Sequence, residues 1–392
     1  MSNPPLLSVI IPTHNRARYA VPTIRSVLAI SDDIEVIVSD TSEVDDIATA
    51  MHNEPGWERV IYVRPPSSFT VVDNFNEGVK YASGDYVVFL GDDDLLSSEI
   101  IPLINWAKIN RVDSIRLEFP IQYYWPDFVH KRQGDYYSGK LFISKFTGKV
   151  EKRSSIDALK GAMENFGGGV GFMPRAYAGI ISRALVNIIL QKYGLLFGGV
   201  SPDIYSSALI SVESGDYYNV DYPVVIPGSS GVSTAGLSAN GRHVGGLRDN
   251  AHIGPFKDLV WDDLIPEFYS VPTVWAYSLL CAIKKIDFKS NPSFERLYVR
   301  CLAYHGYYRR FTLNSMHLWI SNVGFVRALL RLLIAAAAEA KFILLKVKGL
   351  VDNRLSIGSE VVEIAHLDSS HQASSVASDW LKNSDVKINY SM

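Results

Sequence analysis

The chain has 392 residues, of which 47% are hydrophobic and 20% charged, so it is long enough for about two folded units and too apolar for wholesale disorder. Thirty-eight Lys and Arg oppose 41 Asp and Glu, and the net charge of −3 disfavours a nucleic-acid partner. The only cysteines, Cys281 and Cys301, exclude a disulfide framework and a cysteine-based zinc module and fit a reducing compartment. No signal-peptide pattern and no membrane-spanning run is evident, so we expect a cytoplasmic protein.

The first 110 residues alternate between strand-like and helix-like patterns. Apolar, β-branched runs at 6–11, 34–38, 59–63 and 86–90 predict strands that are buried on both faces, and the segments between them have helical spacing. This alternation predicts an α/β fold with a Rossmann-like, doubly wound parallel sheet. Ligands of such sheets bind beyond the carboxyl ends of the strands, so the polar residues that follow each strand are candidate site residues.

Polar residues follow three of these strands. Thr13–Arg16 follow the first strand and either line a base pocket or cap the next helix. Asp40 follows the second strand, where it either accepts hydrogen bonds from a nucleotide or ends a turn. Asp92, Asp93 and Asp94 follow the fourth strand, and adjacent carboxylates repel one another unless a cation neutralises them. Carboxylates offer oxygen ligands, so we favour a binding site for Mg²⁺ or Mn²⁺. The alternative is an acidic turn that caps the next helix.

The middle of the chain has a less regular pattern. Residues 114–124 and 178–182 predict further strands, and Pro202–Ser211 predicts a helix with Asp203 in its first turn. A carboxylate there can act as a general base, or it can simply stabilise the helix N-terminus through the helix dipole. Residues 228–246 are rich in Gly and Ser and predict a long mobile loop.

The chain beyond residue 256 has a mostly helical pattern. Residues 323–350 have the clearest helical pattern. Between positions 327 and 348 they include five Lys or Arg and one Glu. Such a basic amphipathic helix either contacts an anionic membrane surface or packs on the catalytic unit or a second subunit. The Ser-rich tail from residue 366 is expected to be poorly ordered. The predicted regions are 1–255 (catalytic, with halves 1–110 and 111–255), 256–365 (helical) and 366–392 (disordered tail).

Three runs of the sequence, SVIIPTHNR, VIVSD and NFNEGVKYASGDYVVFLGDDD, resemble glycosyltransferase family 2. A looser resemblance extends through MPRAYAGIISRALV and SPDIYSSALI to bacterial sugar transferases for surface polysaccharide such as O-antigen or capsule. The resemblance implies a GT-A fold with an acceptor-side extension and a variant DxD metal motif. It also implies a metal-dependent, inverting sugar transfer from a nucleotide-diphosphate sugar to a glycan or lipid-linked glycan acceptor, in the cytoplasm or at the inner membrane face.

The resemblance also implies residue roles. It places Pro12, Thr13 and Asn15 near the base, Asp40 on the base, Asp92 and Asp93 at the ribose and the metal, and Asp203 as the general base. Arg16 and Asn76 are further donor-site candidates, and Asp94 is a second candidate metal ligand. The family commonly has Asp at the position of Gly91, so which carboxylate touches the ion is open by one residue.

The Gly/Ser-rich segment suggests one more hypothesis about the donor site. Residues 228–246 would close over the bound donor and exclude water, and Arg242, His243 or Arg248 would then meet the diphosphate. Two other functions stay open. One is a non-catalytic nucleotide-sugar-binding scaffold, and the other is a sugar nucleotidyltransferase, although PTHNRARY is a poor match to the phosphate loop of that class.

Overall fold

A computed structural model describes residues 4–239, 244–355 and 361–391 of the chain. A mixed eight-stranded sheet lies at its centre. Across the sheet the strands are β3 (Val60–Val63), β2 (Ile34–Asp40), β1 (Leu7–Thr13), β4 (Tyr86–Phe89), β10 (Ile180–Ser182), β6 (Ser114–Leu117), β11 (Asp216–Val220) and β9 (Val150–Ser154). The first four of these are parallel to one another, which confirms the predicted α/β sheet.

The register of the parallel strands brings the polar residues after them to one edge of the sheet. Thr13 at the end of β1 pairs with Asp40 at the end of β2. The backbone N–H of Leu90, directly after β4, donates to the carbonyl of Ile10 in β1. The segments that follow β1, β2 and β4 therefore converge at the carboxyl edge, as the sequence pattern predicted.

Two apolar cores lie on opposite faces of the sheet, because successive side chains of a strand point to opposite sides. Val9 and Ile11 of β1 contribute to one core and Ile10 to the other, and all three side chains are fully buried. The Val9 face is covered by α1 (Ala17–Leu28), α2 (Asp46–Met51), α4 (Ile100–Ile109) and α13 (Ser370–Asn383). The Ile10 face is covered by α3 (Val71–Val79), α5 (Ser155–Glu164), α6 (Arg183–Tyr193) and α7 (Pro202–Glu213).

Smaller strands extend the structure beside the carboxyl edge. They are β5 (Leu95–Leu96) with β12 (Val225–Ile226), and a four-stranded sheet of β13 (Gly228–Ser229), β7 (Ile121–Tyr124), β8 (Lys140–Ile143) and β14 (Val362–Ile364). The strand predicted at 114–124 is therefore two strands in different sheets, with Pro120 between them, since proline cannot donate to a strand ladder.

The prediction of an irregular loop throughout 228–246 is wrong for its first half. Residues Gly228–Ser229 form β13 and pair with β7, and Thr234–Ala239 form α8. The Gly and Ser content reflects close approach to neighbouring backbone and not a lack of structure: a Cβ at Gly228 would overlap the carbonyl oxygen of Asp93.

The next four helices along the chain are α9 (Val271–Lys285), α10 (Phe294–Tyr304), α11 (Arg309–Val323) and α12 (Phe325–Leu355). Their apolar residues join the core on the Ile10 face, where Leu279 of α9 and Leu297 of α10 belong to the same cluster as Leu209 of α7. Within the described residues, no helix has the length and apolarity that crossing a bilayer requires.

The expectation of a poorly ordered tail from residue 366 is wrong. Ala373, Ala377 and Leu381 of α13 are buried in the core on the Val9 face. Ser369 caps the helix by accepting the backbone N–H of Gln372. Small side chains allow this helix to approach α1 closely, so a composition that is typical of disorder here serves tight packing.

Candidate active site

The three adjacent carboxylates lie at the carboxyl edge of the sheet, immediately after β4. Asp92, Asp93 and Asp94 are each no more than 5% exposed. A buried carboxylate is costly unless hydrogen bonds or cations compensate for the lost water. We call these three residues the acid cluster, and each of them has different partners.

Asp92 and Asp93 share one arginine. Arg16 Nη1 lies 3.2 Å from Asp92 Oδ1, and Arg16 Nη2 lies 2.8 Å from Asp93 Oδ2. Thr13 Oγ1 donates to Asp92 Oδ2 at 2.7 Å. Ser230 donates to Asp93 Oδ2 through its hydroxyl at 2.6 Å and its backbone N–H at 3.1 Å. Residues from β1 and from the 228–231 segment therefore meet on these two carboxylates.

Asp94 bonds mainly to backbone groups. Its carboxylate accepts the N–H of Gly91 at 3.0 Å and the N–H of Gly228 at 2.7 Å, and Tyr177 Oη donates to it at 3.3 Å. These bonds tie the turn after β4 to the start of β13. A Cβ at Gly91 would lie 2.5 Å from Tyr177 Oη and 2.6 Å from Asp94 Oδ2, so a larger residue at this position requires these two side chains to move.

The acid cluster carries more negative charge than its described partners neutralise. Burial raises the pKa of Asp92 to about 7, even though the positive charge of Arg16 opposes the shift. Burial, followed by the charge of Asp93, also raises the pKa of Asp94 to about 7. Although burial acts to lower the pKa of Arg16, the charges of Asp92 and Asp93 raise it, so the guanidinium stays protonated.

Asp40 lies at the end of β2 and is held by the neighbouring strand. Its carboxylate accepts hydrogen bonds from Tyr62 Oη at 2.8 Å, from Arg64 Nη1 at 3.0 Å and from the N–H of Ser42 at 2.8 Å. Burial, and then the hydrogen bond to Asp40, raise the pKa of Tyr62, so its hydroxyl remains a donor. The sequence reasoning missed Tyr62 and Arg64, although they lie at the end of the third predicted strand, where the same strand-end rule applies.

The residues after β1 contribute backbone geometry as well as side chains. Asn15 has a φ of 55°, a left-handed conformation that asparagine tolerates better than most residues. Its backbone N–H donates to Ser42 Oγ at 2.6 Å, and its side-chain oxygen accepts the N–H of Glu43 at 3.3 Å. Pro12 lies opposite Ser39 in the β1–β2 ladder. This turn therefore joins the ends of β1 and β2.

Asn76 does not bond to the residues of the carboxyl edge. Its side-chain amide donates to the carbonyl of Phe197 at 2.9 Å, and its oxygen accepts the N–H of Phe197 at 3.1 Å. Asn74 takes the position at the strand ends instead: its amide donates to the Thr13 carbonyl at 3.1 Å and its oxygen accepts from Ser39 Oγ at 2.6 Å. Both asparagines lie in α3, two residues apart, and only the packing of α3 on the sheet distinguishes them.

Asp203 lies in the first turn of α7, as the sequence predicted, with Pro202 at the helix start. Ser201 Oγ donates to Asp203 Oδ1 at 2.6 Å and orients the carboxylate. Two basic side chains are electrostatically coupled to it. Burial lowers the pKa of His252. Burial and the charge of Arg116 lower the pKa of Arg175 to about 10. The negative charge of Asp203 opposes both shifts.

The Gly/Ser-rich segment and the two residues after it contain three further candidates, Arg242, His243 and Arg248. Arg242 and His243 lie outside the described residues. Arg248 donates to the carbonyl of Leu259 at 3.0 Å and lies 3.8 Å from Glu267, so it holds the segment before α9. Among the described residues of the segment, Gly228 and Ser230 bond to the acid cluster. The acidic run gave no signal in the sequence that residues more than a hundred positions away would bond to it.

The donor atoms of the site fit a hard divalent cation. Asp92, Asp93 and Ser230 present oxygen atoms only, which Mg²⁺ and Mn²⁺ prefer, and two carboxylates leave room for water and phosphate in the coordination shell. Across the described ranges, no set of three or more His, Cys, Asp and Glu side chains forms a closed metal cage.

Residues 8–157 match the family model described as glycosyl transferase family 2. This part of the chain is therefore similar to glycosyltransferase family 2. The resemblance that the motifs indicated is therefore confirmed. The family 2 region contains Thr13, Arg16, Asp40 and the acid cluster, whereas Asp203 and Ser230 lie beyond it.

Two curated relatives are glycosyltransferases by name. The GalNAc(5)-diNAcBac-PP-undecaprenol beta-1,3-glucosyltransferase of Campylobacter jejuni is 36% identical over 113 residues, covering 26% of this chain and 35% of that protein. An uncharacterised glycosyltransferase of Rickettsia conorii is 33% identical over 98 residues, covering 25% of this chain and 16% of that protein. The chain thus spans about a third of the first relative and about a sixth of the second.

Two solved structures align with much of the chain. S. aureus TarS 1–349 in complex with UDP-GlcNAc aligns with a TM-score of 0.44 at 12% identity, covering 84% of this chain and 89% of that one. The mannosyltransferase PcManGT of Pyrobaculum calidifontis, in complex with GDP-Man and Mn²⁺, aligns with a TM-score of 0.37 at 15% identity, covering 85% and 88%.

Proposed function

We propose that the chain transfers a sugar from a nucleotide-diphosphate sugar to a hydroxyl group of a glycan or lipid-linked glycan. The observation that carries this proposal is the buried acid cluster at the carboxyl edge of the family 2 region, with Asp40 at the end of the neighbouring strand. A buried carboxylate pair that is only partly neutralised suits a donor whose diphosphate arrives with a cation.

In this proposal the residues at the carboxyl edge bind different parts of the donor. Asp40 accepts hydrogen bonds from the base, and its position is held by Tyr62 and Arg64. Asp92 and Asp93 would together hold Mg²⁺ or Mn²⁺, and Asp92 would also bind the ribose. The ion supplies positive charge that stabilises the departing nucleoside diphosphate. We assign Asp94 to organising the turn, because its carboxylate links the backbone N–H of Gly91 in that turn to the N–H of Gly228 in β13.

Asp203 is the proposed general base. It takes the proton of the acceptor hydroxyl as the acceptor oxygen bonds to the anomeric carbon, and the bond from that carbon to the diphosphate oxygen breaks. The nucleoside diphosphate leaves with the bonding electrons. Attack from the side opposite the leaving group inverts the anomeric centre, so this step needs no covalent enzyme intermediate. The hydrogen bond from Ser201 leaves Asp203 Oδ2 for the acceptor proton.

The test separates donor binding from chemistry. A panel of nucleotide-diphosphate sugars is screened with Mn²⁺ by thermal shift, and release of nucleoside diphosphate is then measured with candidate glycan acceptors. Asp93→Asn is expected to abolish the Mn²⁺-dependent shift, whereas Asp203→Asn keeps it and lowers turnover by about 100-fold or more. Asp85→Asn is the matched control, since Asp85 lies at the opposite end of β4 and pairs with Lys108. Full turnover in Asp203→Asn contradicts the assigned base, and no shift with any donor contradicts the transferase.

We further propose that the protein contacts an anionic membrane through α12. Glu339 on the inner side of this helix is 2% exposed, whereas Val326, Leu330, Leu333, Ile334 and Leu344 are 60–80% exposed. The spacing of these five residues puts them on one face, which we call the outer α12 face. Lys341 and Lys348 lie at the same side of the helix and are exposed. An apolar face with flanking cations suits an anionic lipid surface. The Campylobacter relative is named for an undecaprenol-linked acceptor, which is consistent with work at a membrane.

Flotation with vesicles tests the membrane contact. Wild-type protein should float with vesicles of mixed phosphatidylglycerol and phosphatidylcholine and much less with phosphatidylcholine alone. Leu330→Glu with Leu333→Glu should abolish flotation. A matched double variant, Ile188→Glu with Leu195→Glu, changes two exposed apolar residues elsewhere and should float like wild type. Equal flotation of both double variants contradicts the proposal.

A further inference from the structure

Arg16 occupies the space between the two carboxylates that the proposed metal site needs. Its Nη1 faces Asp92 at 3.2 Å, and its Nη2 faces Asp93 at 2.8 Å. The same Nη2 donates to Ser230 Oγ at 2.8 Å. Ser230 in turn donates to Asp93, so guanidinium, carboxylate and hydroxyl form a closed triangle.

Arg16 does not use all of its hydrogen-bond donors. Its Nε is buried and has no hydrogen-bond partner among the described residues. Its side chain is still 22% exposed, which leaves it a path towards the surface of the site. A buried donor without a partner is costly, and a second position that satisfies it would be favoured. Arg16 therefore holds Asp92 and Asp93 with only part of its hydrogen-bonding capacity.

A guanidinium and a divalent cation compete for the same carboxylate oxygens, because their positive charges repel at contact distance. We propose that Arg16 is a built-in counter-ion of the acid cluster that has to leave Asp92 and Asp93 before a divalent cation binds there. This inference rests on the metal site of the proposed function and not on the transfer reaction. It goes beyond that function because it sets the conditions under which the cation binds.

The displaced guanidinium has a chemically defined alternative partner. A nucleoside diphosphate presents anionic oxygens, and the planar guanidinium fork matches phosphate oxygens as well as it matches carboxylates. Binding of the diphosphate thus removes Arg16 from the acid cluster and opens it to the cation. The cation and the diphosphate should bind cooperatively, and the cation alone should bind weakly.

The decisive measurement is the dissociation constant of Mn²⁺, followed by the electron paramagnetic resonance signal of the free ion, with the full chain and no nucleotide. Arg16→Gln is expected to bind Mn²⁺ at least tenfold more tightly than wild type. Arg16→Lys should lie between them, because an ammonium group cannot bridge two carboxylates with a fork. Arg18→Gln is the matched control: it removes the same charge two residues away from an exposed position and should leave the constant unchanged.

A second arm uses UDP and GDP as probes. In wild type the diphosphate should tighten Mn²⁺ binding, and in Arg16→Gln the additional tightening should be at least threefold smaller. If Arg16→Gln fails to fold, Arg16→Lys against wild type gives the same comparison. Unchanged or weaker Mn²⁺ binding in both Arg16 variants overturns the inference.

The outcomes also separate this inference from the proposed function. A wild-type protein that binds Mn²⁺ tightly without nucleotide overturns the role of Arg16 and leaves the transferase proposal intact. If the Arg16 variants tighten Mn²⁺ as expected and no donor sugar is transferred, the role of Arg16 stands and the transferase proposal fails.

Discussion

Two buried clusters in this protein combine carboxylates with arginine, and they differ in their charge balance. In the acid cluster, three carboxylates face Arg16 alone among the charged partners that the described residues provide. In the helical region, Glu339 of α12 faces Arg300 at 3.1 Å and Arg296 at 3.3 Å. Tyr304 Oη also donates to Glu339 at 3.0 Å. The first cluster is short of positive charge and the second is not.

This difference separates a binding site from a structural anchor. Burial raises the pKa of Asp92 and Asp94 to about 7, so binding of a further cation would relieve the acid cluster. Glu339 has both oxygens occupied and fixes one side of α12 on α10. The anchor therefore determines which face of α12 remains outside, and the acid cluster is available for a ligand.

The largest expected effect is on the anchor. Glu339→Ala leaves two arginines without their buried partner, so the free energy of unfolding should fall by about 3–5 kcal/mol, measured by urea denaturation. Lys341→Ala on the exposed side of the same helix is the control and should change it by less than about 0.5 kcal/mol. A loss below about 1 kcal/mol in Glu339→Ala would show that the pair is not an anchor.

The next effect concerns the contact between β13 and the acid cluster. Gly228→Ala places a Cβ on the carbonyl oxygen of Asp93, so the 228–231 segment has to move and Ser230 leaves Asp93. We expect about tenfold weaker binding of the nucleoside diphosphate with Mn²⁺ and a stability loss of about 1–3 kcal/mol.

Gly245→Ala is the matched control for that change. A Cβ at Gly245 has no atom within 4 Å, so binding and stability should both remain at the wild-type level. Equal behaviour of the two alanine variants would mean that the close approach of Gly228 to Asp93 has no bearing on the site.

The smallest effect is a pH dependence near Asp203. Burial lowers the pKa of His252, which bonds to the Val200 carbonyl at 2.6 Å, below its ordinary value of 6.5. The unfolded chain therefore takes up the proton first as the pH falls. The stability contribution is complete above about pH 6.5 and is lost as the pH falls towards the lowered value.

His252→Gln should flatten the dependence of the unfolding free energy on pH below about pH 6.5. His305 has a pKa that burial lowers in the same way, so part of the slope should remain in the variant. An unchanged slope in His252→Gln would show that His252 titrates alike in the folded and unfolded chain.

Much of the strand edge could be predicted from the sequence, because buried parallel strands are local apolar runs. Ile34–Asp40 and Tyr86–Phe89 form within a residue or two of the expected bounds, and Asp40 and the acid cluster follow them. The sequence could not show whether Asn74 or Asn76 reaches Thr13 at the end of β1. Both residues lie on one short helix, and only the rotation of that helix against β1 selects between them. The prediction of a poorly ordered tail was wrong because the residues on which the tail packs lie in the N-terminal half of the chain.

The sequence by itself determined the α/β class, the position of three carboxylates after β4 and the similarity of residues 8–157 to glycosyltransferase family 2. These features depend on patterns within a few residues of one another. Only the tertiary structure decided that Arg16 neutralises Asp92 and Asp93 and that Ser230 joins them across 137 residues of chain. The tertiary structure also decided which side of α12 is exposed to solvent. Such contacts depend on the path of the whole chain, because charges and hydrogen bonds pair by distance in space and not by spacing in sequence.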